Sequence, residues 1–328
     1  MKKRISAIIF LLITCLSAAV LSGCGNAGKT ADTAEDENLI VVGFSQVGAE
    51  SDWRNANTLS MTEALSPENG YRLIIDDAQQ KQERQITAIR NFINQGVDYI
   101  VLAPTTETGW DTVLNEAKAA GIPVIIVDRM IETEDKTLFK CWVGSDFRRE
   151  GEKAVAWMSE NLTGPLKIVH LQGNIGSSAQ IGRTEMLMNS LEDHEDWSIV
   201  FQETGDFTQA KGQELMEEIL ENNIDFNVIY TENDNMAFGA LTALENAGIN
   251  PGTDITIISF DAGRRALNLM LEGCINFDVE CNPLHGPRVQ ALIEEMEAGM
   301  VPSKYTYVEE ETFEVGSLTK EMIDARGY

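Results

Sequence analysis

The residues of this chain that could do chemistry recur just after short apolar runs. Ser45 closes the run that begins at Leu39, and Trp53-Arg54 follow one loop later. Asp128-Arg129 follow Pro123–Val127, Asp206-Phe207 follow Ser198–Gln202, Asn233-Asp234 follow Asn227–Thr231, and Asp261 follows Ile255–Phe260. Arg183 lies a turn into the helical segment beyond Gly173, and Glu280 and Asn282 end the run Phe277–Cys281. The set holds carboxylates, guanidiniums, a carboxamide and two aromatics, and lacks a nucleophile–base pair or a metal cluster. That mixture suits recognition of a small polyhydroxylated ligand. Asp and Asn accept hydroxyl hydrogens, and each Arg fork offers paired donors to adjacent oxygens. Trp53 and Phe207 present flat apolar faces to C–H groups. The candidate binding residues are Ser45, Trp53, Arg54, Asp128, Arg129, Arg183, Phe207, Asn233, Asp261 and Glu280. No catalytic residue, metal site or cofactor is expected.

Several of these residues have plainer readings. Asn233 suits a helix N-cap, and Asp206 could cap the helix starting near Thr208. Asp76 and Asp77 read as turn and cap residues. Trp157, on one face with Val155 and Met158, reads as core, while Trp110 stays open between core and site. Trp53-Arg54 and Asp128-Arg129 are pairs that a fold does not need for itself.

The elements that must position these residues alternate in type. Strands are expected at Leu39–Ser45, Arg72–Asp76, Tyr99–Leu102, Pro123–Val127 and Lys140–Val143, with helices at Asp52–Leu65, Glu83–Gln95 and Gly109–Ala120. The pattern then restarts. A helix at Arg148–Leu162 leads to strands at Lys167–Leu171, Ser198–Gln202, Asn227–Thr231 and Ile255–Phe260. Helices at Ala179–Leu191, Thr208–Glu221 and Asn233–Ala247 separate them. Strand–helix alternation implies parallel sheets with right-handed crossovers. The fold class is therefore α/β, with two doubly wound parallel-sheet lobes. In such sheets ligands bind beyond the carboxyl ends of the strands, where the candidates lie.

The start of the chain bears on location. Lys2, Lys3 and Arg4 precede an apolar run from Ile8 to Leu21 that suits a secretory signal. It ends in Leu21-Ser22-Gly23-Cys24, the pattern in which a lipoprotein signal peptidase cuts just before Cys24, which takes lipid. Residues 1–23 are read as signal and 24–38 as a flexible acidic tether. The expected location is the extracytoplasmic face of the membrane, as on a Gram-positive-type surface, held by the lipid alone. The formal charge of −27 would become about −30 without residues 1–23, a surface that repels nucleic acid. Cys141, Cys274 and Cys281 would then remain, an odd number read as buried free thiols, and His170, His194 and His285 show no zinc spacing.

The same residues carry a resemblance. Val42–Gly48 with Glu50-Ser51 and Trp53-Arg54, Gln79–Glu83, Gln95–Asp98, Ala103-Pro104, Thr108–Trp110 and Asp128-Arg129 resemble the type I (ribose/galactose-type) sugar-binding proteins of ABC importers. Leu171–Gly173, Gly205–Thr208, Lys211-Gly212 and Asn233-Asp234 with Met236 extend the likeness over nearly all of Leu39 to Tyr328, strongest toward galactofuranose-binding members. The resemblance implies the type I periplasmic binding protein fold and sugar contacts from Arg54, Asp128, Arg129, Arg183, Asn233 and Asp261, with Trp53 and Phe207 walling the ring. It implies a three-crossing hinge near Asp146, Cys281 and Glu310. The lobes would be 39–146 plus 282–310 and 147–281 plus 311–328. It also implies a monomer that captures a monosaccharide, galactofuranose or a related furanose or pyranose, and delivers it to a membrane permease, without enzymatic activity. A sugar sensor presenting its ligand to a receptor kinase is the alternative. A DNA-binding regulator would need a helix-turn-helix before the first lobe. A Rossmann oxidoreductase would need G-x-G-x-x-G after a strand, and neither Gly43–Gly48 nor Gly173–Ser178 has that spacing.

Overall fold

The computed structural model describes residues 39–328. The signal segment, Cys24 and the tether lie outside the described residues. Among the described residues no helix is long and apolar enough to cross a membrane.

Two six-stranded sheets organise the body. The first is built from β1 (Ile40–Gln46), β2 (Tyr71–Asp77), β3 (Tyr99–Leu102), β4 (Val124–Val127) and β5 (Cys141–Gly144). Helices α1 (Asp52–Ala64), α2 (Gln82–Gln95) and α3 (Asp111–Ala119) connect the first four. Its order is β11-β5-β4-β3-β1-β2, all parallel, with β11 (Tyr305–Tyr307) arriving from far along the chain. β3 and β4 are buried along their whole length, which is why they read as continuous apolar runs.

After β5 the chain enters α4 (Phe147–Asn161) and builds the second sheet. Its strands are β6 (Leu166–Gln172), β7 (Trp197–Thr204), β8 (Val228–Thr231), β9 (Thr256–Asp261) and β10 (Phe277–Glu280). Between them run α5 (Ser178–Asp193), α6 (Gln209–Glu221), α7 (Asp234–Asn246) and α8 (Arg264–Leu271). The chain then returns to pack α9 (Gly286–Glu297) on α1 and add β11, before crossing again to β12 (Thr312–Glu314) and α10 (Lys320–Ala325). The contact between α9 and α1 is close: a Cβ at Gly286 would stand 1.9 Å from the Ser60 carbonyl oxygen. The order of the second sheet, β12-β10-β9-β8-β6-β7, mirrors the first, except that β12 pairs antiparallel to β10.

The two doubly wound lobes agree with the alternation in the sequence, and the differences are local. The edge strands β11 and β12, three residues each, are too short to alternate visibly, and helices α8, α9 and α10 are further elements beyond those expected from the sequence. Gly96, at φ 66°, ends α2 as a left-handed C-cap. Asn233 caps α7, its Oδ1 accepting from Met236 N at 2.9 Å. The cap of α6 is Thr208, not Asp206, which stands in the left-handed region at φ 52°. Asp77 makes a turn by accepting from Gln79 N. Trp110 is fully buried among Val113, Leu114 and Leu102, and Trp157 stacks on Phe277 at 4.9 Å. Cys141, Cys274 and Cys281 are free thiols.

Candidate functional site

Both sheets aim their carboxyl ends at one narrow pocket that is partly open to solvent. From the first lobe, Ser51 caps α1, its Oγ accepting from Arg54 N at 3.1 Å, so Trp53 and Arg54 emerge on the first turn. Arg54 Nε donates to Glu50 Oε1 at 3.1 Å and Nη1 to Asp128 Oδ2 at 2.9 Å. Its guanidinium lies 4.6 Å over the Trp53 ring. Burial opposes its charge, but Asp128 and Glu50 outweigh burial and raise its pKa. The indole is fixed in turn, Nε1 donating to the Cys281 carbonyl at 2.6 Å.

β4 ends at Asp128, whose φ of 63° is left-handed and turns the chain sharply enough to bring Arg129 inward. The turn packs against Gly144, where a Cβ would stand 2.1 Å from the Asp128 carbonyl oxygen, so β5 needs glycine there. Arg129 is buried but poorly partnered. Its hydrogen bonds, to Thr105 O at 3.4 Å and Asn174 Oδ1 at 3.5 Å, are long, and Asp128 Oδ2 is 3.9 Å away. Its guanidinium sits 5.1 Å over the Phe207 ring. Burial, and after it the Arg54 cation, lowers its pKa to about 10.

The second lobe supplies Arg183, Phe207, Asn233 and Asp261. Arg183 Nε donates to Glu150 Oε2 at 2.7 Å, Nη1 donates to the Glu232 carbonyl, and Nη2 lies 3.9 Å from Asp261 Oδ1. The Phe260 ring backs it at 4.7 Å. Burial works against its charge, yet Glu150 and the other negative groups around it, Asp261 among them, together outweigh burial and hold its pKa well above the ordinary value. Phe207 is held at φ 60°, with its carbonyl accepting from Asn233 Nδ2 at 3.1 Å. Its ring occupies the space beside Gly173, where a Cβ would fall 1.8 Å from Phe207 Cζ. Asp261 leaves β9 at φ 110°, and burial, then the Asp234 charge, pushes its carboxyl well above the usual range. Asp128, Phe207 and Asp261 thus each hold a strained backbone at the cavity, as residues at ligand sites often do.

Eight of the ten sequence candidates line this cavity: Trp53, Arg54, Asp128, Arg129, Arg183, Phe207, Asn233 and Asp261. Two lie outside it. Ser45 is buried within β1, and its carbonyl accepts from Gln85 Nε2. Glu280 turns away to accept from Glu311 N, Asn282 Nδ2 and the Tyr328 hydroxyl, with Arg326 at 3.0 Å. Sequence reasoning missed Glu50, Phe147 and Cys281, which also line the cavity, and Glu150 behind Arg183. Glu50 had a usable signal, since it stands four residues before Arg54 and pairs with it. The others depend on crossings whose geometry the sequence does not display.

The lobes are joined across the cavity mouth as well as by the chain. Met130 N donates to Ser178 Oγ at 2.9 Å, Glu107 N to Gly176 O at 2.9 Å, and Asn174 Nδ2 to Gln80 Oε1 at 2.6 Å. On the other side Asp52 N donates to Asn235 Oδ1 at 3.0 Å. The arrangement is a closed one.

A model of the periplasmic binding protein domain matches residues 42–285. The chain belongs to that family. Among its relatives, the galactofuranose-binding protein of Escherichia coli is 39% identical over 272 residues, covering 81% of this chain and 85% of that one. A galactofuranose-binding protein of known structure superposes with a TM-score of 0.82 at 38% identity, over 87% of this chain and 97% of the other. A Mycobacterium smegmatis protein in complex with β-D-fucofuranose gives 0.81 at 41% identity, over 84% and 92%. The binding component of the arabinose ABC transporter of Shewanella sp. ANA-3, bound to L-arabinofuranose, gives 0.80 at 40% over the same shares. The type I fold expected from the sequence is the fold these structures share.

Proposed function

We propose that this chain captures a monosaccharide in furanose form by closing its two lobes over it and hands the closed complex to an ABC importer. The observation that carries the reading is the composition of the cavity wall. Three guanidiniums, of Arg54, Arg129 and Arg183, face the carboxylates of Glu50, Asp128 and Asp261, with Glu150 directly behind Arg183. The charges offset one another closely, which favours a neutral ligand over an anion, and the paired acceptors and donors match vicinal hydroxyls. Each hydrogen bond to a charged partner contributes ~1.5–3 kcal/mol, so a handful offsets dehydration of a small sugar. Trp53 and Phe207 supply the apolar faces. The furanose preference rests on the three relatives whose sugars are five-membered rings.

The lobes are read as 39–146 plus 282–310 and 147–281 plus 311–328, so each contributes half of the wall. A sugar held by one half gains the other half's contacts only on closure, and that differential affinity shifts the hinge equilibrium. Binding alone accounts for the wall, and no chemical conversion of the ligand is proposed. Anchoring through Cys24 would keep the protein beside its importer, and the protein would act as a monomer. Thermal-shift measurements against D-galactose, D-fucose, L-arabinose, D-ribose and D-glucose test the reading. Stabilisation by the first three is expected, and no stabilisation by any sugar would refute it.

A further inference from the structure

Where the chain crosses between lobes, it buries more carboxyl than it neutralises. Ser145 follows β5, Cys281 follows β10, and Glu310 lies between β11 and β12. Their side chains converge beside Glu150 of α4, and the ligating atoms of Glu150, Cys281 and Glu310 lie within 4.8 Å of one another. Glu310 Oε1 accepts from Ser145 Oγ at 2.6 Å and from Asn282 N at 2.7 Å. Ser145 Oγ is also 3.4 Å from Cys281 Sγ. Glu150 is 1% exposed; its Oε2 accepts from Arg183, and its Oε1 is buried without a donor.

Glu150 is paired with Arg183, which also faces Asp261, and among the described residues no ion pair reaches the Glu310 carboxyl. The other groups around the cluster do not supply the missing charge. Asp261 and Glu280 add negative potential, and the neighbouring Tyr230 is held neutral by burial. Arg288 acts on Glu310 without a direct contact, and Lys153 Nζ is engaged by the Glu310 carbonyl at 2.6 Å. What Glu150 Oε1 lacks is a hydrogen donor. A protonated Glu310 supplies one, with the Cys281 thiol beside it. Carboxyls this close share a proton more readily than both ionise.

We propose that the three crossings form a proton-binding site, built from Glu310, Glu150 and Cys281, which fills when the lobes close over a sugar. The inference rests on the closure described under Proposed function. Cys281 also lines the sugar cavity, so parting the lobes would admit water to the cluster. In the closed state burial, and after it the Glu150 charge, pushes the Glu310 carboxyl up to about 9. Hydrated in the open state, it returns toward the ordinary carboxyl range. Between those limits the closed form holds a proton that the open form lacks. Closure near neutral pH therefore takes up a proton, and sugar affinity falls by up to about tenfold per pH unit as pH rises through the window. A divalent cation fits less well. Glu310 Oε1 already accepts from two donors, and Arg183 already occupies Glu150 Oε2.

The test is calorimetric titration of the protein with D-galactose, D-fucose and L-arabinose in turn, near neutral pH, in buffers of different ionisation enthalpy. The expected result is an enthalpy that varies with the buffer and reports close to one proton taken up per sugar. E310Q, which keeps a hydrogen-bonding side chain in place, should take up about one proton fewer per sugar than the parent, the buried Asp261 carboxyl at the cavity being common to both. Sugar binding with buffer-independent enthalpy in the parent protein would overturn the inference and leave the sugar reading intact. Binding abolished by a chelator and restored by zinc would overturn it in favour of a metal. Failure to bind any of the three sugars would remove the closure reading and this inference with it.

Discussion

Arg129→Met separates what this cavity does for a ligand from what it does for the fold. Arg129 is a buried cation with long hydrogen bonds, and among the described residues no carboxylate is nearer than 3.9 Å. Its pKa, lowered by burial and then by the Arg54 cation to about 10, implies that holding the charge there costs the folded state ~3 kcal/mol. Met keeps an unbranched apolar side chain beside Phe207, over whose ring the guanidinium sits, and leaves no large void. The variant should therefore be at least as stable as the parent without sugar. Two charge-assisted hydrogen bonds to the sugar would be lost, ~1.5–3 kcal/mol each, which weakens binding by about 10²- to 10⁴-fold. Chemical denaturation gives the first quantity and calorimetric titration with L-arabinose the second. An affinity within threefold of the parent, or a stability without sugar lowered by several kcal/mol, would mean that Arg129 serves the fold and not the sugar.

Arg183→Met should behave in the opposite way for the fold. It strands Glu150 and Asp261 as buried unpaired carboxyls, so denaturation should show a loss of ~3–5 kcal/mol. Gly173→Ala should leave α5 and β6 folded but displace the Phe207 ring, lowering sugar affinity by at least tenfold in calorimetry, about 1.4 kcal/mol. His285 is buried beside Asn57, and burial lowers its pKa to about 4. Between its ordinary value and about 4 the unfolded chain binds a proton that the folded one does not, so stability from this group is lost as pH falls through that window. Denaturation at neutral and mildly acidic pH should show His285→Gln less sensitive to acid than the parent by up to ~3 kcal/mol; equal sensitivity would contradict the buried neutral imidazole.

Much of the fold could be read from the sequence because its signals are local. Runs such as Tyr99–Leu102 and Val124–Val127 are apolar throughout since helices cover both faces of their sheet. Most of the candidate cavity was legible for a related reason: parallel sheets collect their strand ends, so Asp128-Arg129, Asn233 and Asp261 meet although far apart in sequence. Ser45 and Glu280 satisfy the same rule but point elsewhere, Ser45 into the interior of the sheet and Glu280 toward Arg326 and Tyr328. Position at a strand end fixes proximity and leaves the direction of the side chain to packing. Cys281, Glu150 and Glu310 were not legible because they meet only where the chain crosses between lobes, a juxtaposition without sequence periodicity. The edge strands, three residues each, were too short to show a period.

Enclosure of a sugar by closure of the two lobes should be visible in solution X-ray scattering. Profiles collected with and without saturating L-arabinose, D-galactose and D-fucose should show a smaller radius of gyration with at least one of them. The sugar-bound profile should match that of the closed structure described here. A radius of gyration unchanged by a sugar that demonstrably binds would contradict the account.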